Sequence, residues 1–531
     1  MTPRFSIVTP VYDPPEDALR AAIRSVIDQS FGDWELILVD DASPAPHVLE
    51  VLHEARAADP RIVVVERPAN GGIVAASNDG LDRARGEWIV LFDHDDLLVF
   101  DALAKVESAL RADEEIDYLY TDEDKIDEHG RLSQAFYKPD WSPERLRSQN
   151  YCCHISALRR SIVEEVGGFR DGFDGSQDHD LVLRVTERAR KVHHIPEVLY
   201  HWRILPTSAA ASAEAKPYAV EAGRRAVQEH CDRVGIPAEV EAQFPPGNYR
   251  VRRRVQGDPL VSIVIPTRGS KGRVWGVERY YVLEAVRSVV EQATYDNYEL
   301  VVVADEPTPD VVVRGLEQLA GDRLKLVWYD RPFNFAEKMN VGRISASGEV
   351  LLLLNDDVEV VTPDFIEVLV ALAQEPGVGS AGAKLLYSDG TLQHAGHYYN
   401  GDCFHAFAGW DSSFPGPHSM LVINRECIGV TAACMAIRTD VWDDVGGMCD
   451  EFFASFNDVD LALKLRESGY RTVWTPQAVL HHFESVTRNP TVSQSEVDLL
   501  HHRWGPWLSN DPYGNPNLEP KRQDWVPRGA R

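Results

Sequence analysis

The sequence predicts an α/β protein built from two Rossmann-like domains in tandem, each around a mostly parallel sheet. Three observations predict it. Short apolar runs alternate with segments of helical periodicity, most of these segments occur twice in the same order, and acidic residues gather where the apolar runs end. A length of 531 residues fits two to four domains at about 150 residues each.

The elements follow in order. Ile7-Val8 is a short apolar run stopped by Pro10, and Leu19, Ile23, Val26 and Ile27 then recur at helical spacing. Glu35 to Val39 is a second buried strand; Ile62 to Val65 and Trp88 to Phe92 are two more, with a helix between them. Ligands of such sheets collect at the carboxyl ends of the strands. Asp40-Asp41 and Asp93-His94-Asp95-Asp96 stand at those ends.

The second half repeats the first. Ser6-Ile7-Val8-Thr9-Pro10 returns as Ser262-Ile263-Val264-Ile265-Pro266, and Trp34 to Val39 as Tyr298 to Val303. Asn78 to Asp95 returns as Asn340 to Asp357 in constant register, since 340 − 78 and 357 − 95 both equal 262. Val166-Gly167-Gly168 pairs with Val445-Gly446-Gly447, and Gln177-Asp178-His179-Asp180 with Asn457-Asp458-Val459-Asp460. A period this long means a duplicated domain, because solenoid repeats run to only about 20–50 residues. Ala-, Glu- and Arg-rich residues from 209 to 234 read as a helix, and Pro245-Pro246-Gly247-Asn248 marks a short hairpin in a linker. The expected division is a first domain at 1–205, a helical and hairpin linker at 206–258, a second domain at 259–488, and a tail at 489–531 packed on the second domain.

Composition narrows the function. With 54 basic and 83 acidic residues the net charge is −29, which repels phosphate backbones and excludes nucleic-acid binding as a first reading. An anionic substrate then needs a metal ion or a local basic pocket. Seven cysteines with no C-x-x-C pair, no leader-like start and no apolar run of 18 residues lead us to expect a cytoplasmic chain that spans no membrane.

Asp93-x-Asp95 at a strand end places two carboxylates on one side, where they repel unless a cation shares them. Mn2+ or Mg2+ with substrate phosphates is the usual solution. A lone motif of this kind is more often a solvated turn, but this one recurs. Asp178-x-Asp180 and Asp458-x-Asp460 precede helical patterns. In each pair one acid can take a proton from a substrate hydroxyl while the other serves the helix start. His201 and His482 follow these pairs by 23 and 24 residues (201 − 178 and 482 − 458) and suggest a third metal ligand or a phosphate contact.

The ordered set Thr-Pro-Val-Tyr, Val-Asp-Asp-Ala-Ser, Asn-Gly-Gly…Asn, Asp-x-Asp, Gly-Gly-Phe…Gln-Asp-x-Asp and His-x-x resembles the inverting family 2 glycosyltransferases of GT-A fold, twice over. The segments Gly390 to Gly396, Phe456 to Asp460, His481 to Ser485 and Asp511 to Leu518 are similar to bacterial O-antigen and cell-surface rhamnan transferases. The resemblance implies a nucleotide-diphosphate sugar donor (dTDP-, UDP- or GDP-linked) and a glycan or lipid-linked glycan acceptor. It implies donor contacts at Pro10, Tyr12, Asp40, Asp41, Asn78 and Asp93, and at Pro266, Asp305, Asn340 and Asp356. It implies a Mn2+ or Mg2+ ion on Asp93, Asp95 and His201 in the first copy and on Asp357 and His482 in the second. Asp178 and Asp458 become the bases, and the inner face of the cell membrane a compatible place of work. Two departures stand out: Asn355 replaces the first Asp of the second motif, and Ala304 stands where Asp40 does.

Both copies are expected to be active. One active domain beside a glycan-binding or structural one, and a non-enzymatic nucleotide-sugar or polysaccharide binder, are the alternatives. His394, His397, Cys403 and His405 match no standard zinc spacing and read as an acceptor-binding loop. Asp122-Glu123-Asp124 reads as a solvated hairpin edge or as lining of the donor pocket, and Trp504, Trp507 and Tyr513 as aromatics packed under the tail in preference to a membrane-interface contact.

Overall fold

A computed structural model describes residues 2–204, 217–483 and 492–529. The chain forms two compact units, Met1–Val251 with Asn515–Asn517, and Arg252–Gly514 with Leu518–Arg531. Each is built on one sheet.

In the first unit, the strand Phe5–Val11 lies between Trp34–Asp40 and Trp88–Leu91, parallel to both, and Ile62–Glu66 extends the parallel run. Beyond Trp88–Leu91 the direction changes. Ser156–Arg159 pairs antiparallel with it and with Ile116–Ile126, which in turn runs parallel to Lys191–Arg203. The sheet is therefore parallel-rich and mixed: its first four strands are the expected Rossmann-like part.

The second unit repeats the order. Val261–Thr267 is flanked in parallel by Tyr298–Asp305 and Val350–Leu354, with Leu324–Tyr329 outside. Cys434–Arg438 then enters antiparallel, followed by Val378–Leu386 and Arg471–His482. Val350–Leu354 is buried at every position, so nothing but its ends meets solvent or ligand. That is why Asn355, Asp356 and Asp357 fall at the carboxyl end of an inner strand, where chemistry is possible.

Residues expected to link the domains belong to the first unit's core. Ala226, Val227 and Cys231 of the helix Pro217–Val234, with Val240, Tyr249 and Val251 of the hairpin, pack with Leu181 and Val185. The helix Gln494–Trp504 buries Leu500 and Trp504 against Phe452, Val459 and Leu463 in the second unit, so these aromatics of the tail are packed. No described helix is long and apolar enough to cross a membrane.

Candidate active sites

Asp458 begins the helix Asn457–Glu467 and Asp178 the helix Gln177–Thr186. The two acids of each pair have separate roles. Asp180 and Asp460 are fully buried and neutralised: Asp180 by Arg170 and, at 2.7 Å, Arg184; Asp460 by Arg503 at 3.1 Å and a hydrogen bond from Trp504 Nε1 at 2.8 Å. Asp458 keeps its carboxylate toward a cavity. Its Oδ1 accepts from the Val459 amide at 2.9 Å and its Oδ2 from the Ala432 amide at 3.3 Å. Asp178 accepts from Asn150 Nδ2 at 2.9 Å and from the His179 amide at 2.8 Å.

The second unit's cavity holds about 540 Å³ and is lined by Pro266, Asn355, Asp356, Asp357, Asp458 and His482. Five of the residues singled out from the sequence thus meet in one hollow, of a size usual for ligand pockets. Asp357 Oδ1 lies 3.3 Å from His482 Nε2, and Asn355 Nδ2 lies 3.2 Å from the same nitrogen. Asn355 Oδ1 is buried with no hydrogen-bond partner among the described residues. Asp356 accepts from Thr267 Oγ1 at 2.6 Å. Burial and then the neighbouring Asp357 raise it to about 7. Asp357 Oδ1 and His482 Nε2 lie together with the Asn355 side chain beside them, and carboxylate, amide and imidazole are groups able to ligate a divalent cation.

Two second-copy residues sit elsewhere. Asp305 is ion-paired at 2.6 Å with Lys338, a buried cation that lines the cavity and also donates to the Thr267 carbonyl at 2.7 Å. Burial lowers the pKa of Lys338 despite Asp305. Asn340, expected at the nucleotide, instead donates to the Met448 carbonyl at 2.8 Å and accepts the Met448 amide at 3.0 Å.

Asn78 does the same in the first unit, holding the Phe169 amide and carbonyl at 2.9 Å each. Both asparagines are latches on the Gly-Gly loop. A Cβ on Gly168 or Gly447 would lie 2.8 or 2.6 Å from the latch oxygen, at φ of +65° or +63°. Only glycine fits there.

The first unit arranges its acids differently. Asp93 faces His154 at 3.7 Å, and His154 also contacts Glu123 at 3.2 Å. Burial pushes Asp93 up, but His154 outweighs it and holds Asp93 below the usual range. Burial raises Asp95, with Asp93 adding to the effect. Ligand atoms of Asp93, Asp96 and His154 lie within 4.8 Å of one another. Asn150 to His154 carries the Asp178 contact at one end and the Asp93 contact at the other. Tyr12 is 51% exposed at the strand end, while Asp40 is buried and accepts from the Ser43 amide at 3.2 Å. Asp41 is committed to the fold: it takes Arg67 and the amides of Gly71 and Gly72 at 2.9 and 2.8 Å, holding the start of the helix Gly72–Arg83. The Pro10 carbonyl contacts His94 Nδ1 at 3.0 Å.

His201 is not the counterpart of His482. Strand register pairs Leu97 with His201, and Glu359, its equivalent (97 + 262 = 359), with His481. His482 therefore corresponds to Trp202. His201 turns its Nδ1 to Asp124 at 2.5 Å. The acids Asp122 to Asp124 are buried in the strand Ile116–Ile126 rather than solvated. They pair with His194, with Lys138 and His154, and with His201 respectively. Burial raises Glu123, and Lys138 with His154 carries it down to about 2.

Residues 6–167 match the family model "Glycosyl transferase family 2", and residues 259–505 match "Glycosyltransferase like family 2". The chain belongs to glycosyltransferase family 2. Both family 2 domains also align along relatives of greater length. An uncharacterized protein y4gI of Sinorhizobium fredii is 42% identical over 99% of this chain and 58% of its own length. The O-antigen biosynthesis protein RfbC of Myxococcus xanthus is 39% identical over 97% of this chain and 40% of its own. The chain thus spans about half the length of these relatives. Among solved structures, S. aureus TarS 1-349 in complex with UDP-GlcNAc is 18% identical with a TM-score of 0.35, covering 43% of this chain and 66% of that one.

Sequence reasoning missed Lys338, whose equivalent 262 residues earlier is Ala76, and His154, whose role depends on a partner far along the chain. The available signal was a lysine set among the small or apolar Ala336, Met339 and Gly342 of one helical segment.

Proposed function

We propose that the chain is a metal-dependent, inverting glycosyltransferase that moves sugars from nucleoside-diphosphate sugars onto a bacterial surface glycan, with a working site in each unit. The observation that carries the reading is the second unit's cavity, which Asp458, Asp357, Asn355 and His482 line together. The similarity to the Myxococcus O-antigen biosynthesis protein supports a surface glycan as product.

Asp458 takes the proton of an acceptor hydroxyl as it attacks the anomeric carbon from the face opposite the departing diphosphate. Attack from that face inverts the stereochemistry and needs one protein carboxylate. Asp357, Asn355 and His482 would hold Mn2+ or Mg2+, whose chemistry is to neutralise the leaving diphosphate. Lys338 adds a positive charge on the same wall, and a hollow of this size would bring donor and acceptor together. Asp178 serves as base in the first unit, where Asp95, with Asp93 and His154 near, stands at the strand end.

A second reading, one active unit beside a binding unit, is favoured by a single observation: Trp202 occupies the strand position that His482 fills. A panel of dTDP-, UDP- and GDP-sugars, scored for nucleotide release with Mn2+, Mg2+ or a chelator, tests both. We expect chelator-sensitive release abolished in part by Asp458→Asn and in part by Asp178→Asn. Release unaffected by Asp178→Asn would leave the second unit as the sole transferase. Binding of sugar nucleotides without any turnover would overturn the enzymatic reading.

A further inference from the structure

His394, His397 and His405 form a cluster beside Asp458 whose protons can be assigned. The Thr431 amide donates to His394 Nε2 at 3.2 Å, so a neutral His394 carries its proton on Nδ1. That nitrogen lies 2.7 Å from His405 Nδ1, which therefore accepts, leaving the His405 proton on Nε2. Ligand atoms of the trio lie within 4.8 Å of one another. A metal ion on His394 Nδ1 would nevertheless require either an imidazolate or a broken bond to Thr431.

The third ring has another role. His397 is 5% exposed and lines the cavity, with Nε2 3.9 Å from Asp458 Oδ2 and Nδ1 3.4 Å from the Tyr399 hydroxyl. Burial raises the Tyr399 hydroxyl well above its ordinary value, so it keeps its proton and can donate to Nδ1. The anionic carboxylate on the other side favours the same tautomer, with the proton on Nε2. Gly429 gives the ring its place: its carbonyl takes the His397 amide at 2.7 Å, and a Cβ on it would lie 2.8 Å from Nδ1.

We propose that His397 is a positioning residue for Asp458, its Nε2–H closing onto Oδ2 to fix the rotation of the carboxylate that receives the acceptor's proton. Hydrogen bonds of this kind are often long in a free enzyme and tighten when substrate enters. The titratable groups facing His397 are Asp458, His405, His394 and Tyr399. Burial, helped by His405 against the pull of Asp458, lowers His397 to about 4. The ring therefore donates without charge at neutral pH and does not weaken the base as a cation would. The proposal rests on the reading of Asp458 as base.

The test is nitrogen-15 histidine NMR on the full chain, with His397→Gln assigning the resonance, followed by kinetics. At pH 7 His397 should be neutral with its proton on Nε2, and its Nε2 shift should move in Asp458→Asn but not in Asp357→Asn. A proton on Nδ1, or an Nε2 shift unmoved by Asp458→Asn, overturns the proposal. With the sugar nucleotide that the second unit turns over fastest, His397→Leu should cut kcat about 10- to 100-fold. Donor KM should stay within about twofold, and His397→Gln should regain most of the rate. Full kcat in His397→Leu alongside an inactive Asp458→Asn sinks the positioning role alone. Retained transfer in Asp458→Asn sinks the functional reading instead.

Discussion

The two units keep the same latch and the same pair of acids at a helix start, yet neutralise charge at the sheet edge by different means. The second unit sets Asn355, Asp357 and His482 around one point, with Asp356 left protonated up to about 7. The first has Asp93, Asp95 and Asp96 there, draws His154 into the acids, and has Trp202 in place of the histidine. Burial lowers His154, but Asp93 and Glu123 outweigh it and raise it well above its ordinary value, so the first unit carries a built-in positive charge. The two units share what holds the helix carrying Asp178 or Asp458 and differ in the residues gathered at the strand ends.

The largest expected effect is on chemistry. Asp458→Asn should lower second-unit transfer by about 10²- to 10⁴-fold, and Asp178→Asn should do the same to a different product step, as quenched time courses would resolve. Loss of both steps in one variant would break the comparison. Next comes the cation. His482→Trp copies the first unit's residue and should weaken Mn2+ binding at the second unit about 10- to 100-fold by titration calorimetry, while Trp202→His should strengthen it at the first. Equal Mn2+ affinity in wild type and His482→Trp would mean the two edges are alike after all.

The latch comes third. Asn340→Ala leaves the Met448 amide and carbonyl without this partner and should cost about 1–3 kcal/mol by denaturant unfolding, with Asn78→Ala matching it. Unequal losses would show that the units rely on it differently. The smallest effect is a pH dependence. Asp356 is raised, so the metal-free native state binds a proton that the unfolded chain has released. Its contribution to stability is full below the ordinary carboxyl range and falls as pH rises toward about 7. The metal-free melting temperature should therefore drop across that window, and Asp356→Asn should flatten the drop.

The repeat made most of the fold legible, and a constant offset of 262 from Asn78 to Asp95 ties the run Trp88 to Phe92, and its second copy, to the acids that follow. The mixed half of each sheet was not legible, since an isolated apolar run such as Ser156–Arg159 carries no sign of its direction. Of the candidate site, the residues that meet in the second cavity, Asp356, Asp357, Asp458 and His482, were singled out from spacing. The histidine pairing was misread by one residue: carrying the 280 offset of Asp178 and Asp458 forward from His201 gives 481, which was available in the sequence. The loop contacts of Asn78 and Asn340 went unread for a different reason. An asparagine beside a ligand and one that latches a loop look the same until the partner, 91 or 108 residues away, is known.

That latch has a further consequence. It joins segments so distant that closing it requires ordering the intervening chain, whose entropy opposes the step. The helix bearing Asp178 or Asp458 follows the latched loop, so the aim of that carboxylate is settled only once this long-range contact forms. Partly assembled chains would then hold these carboxylates loosely.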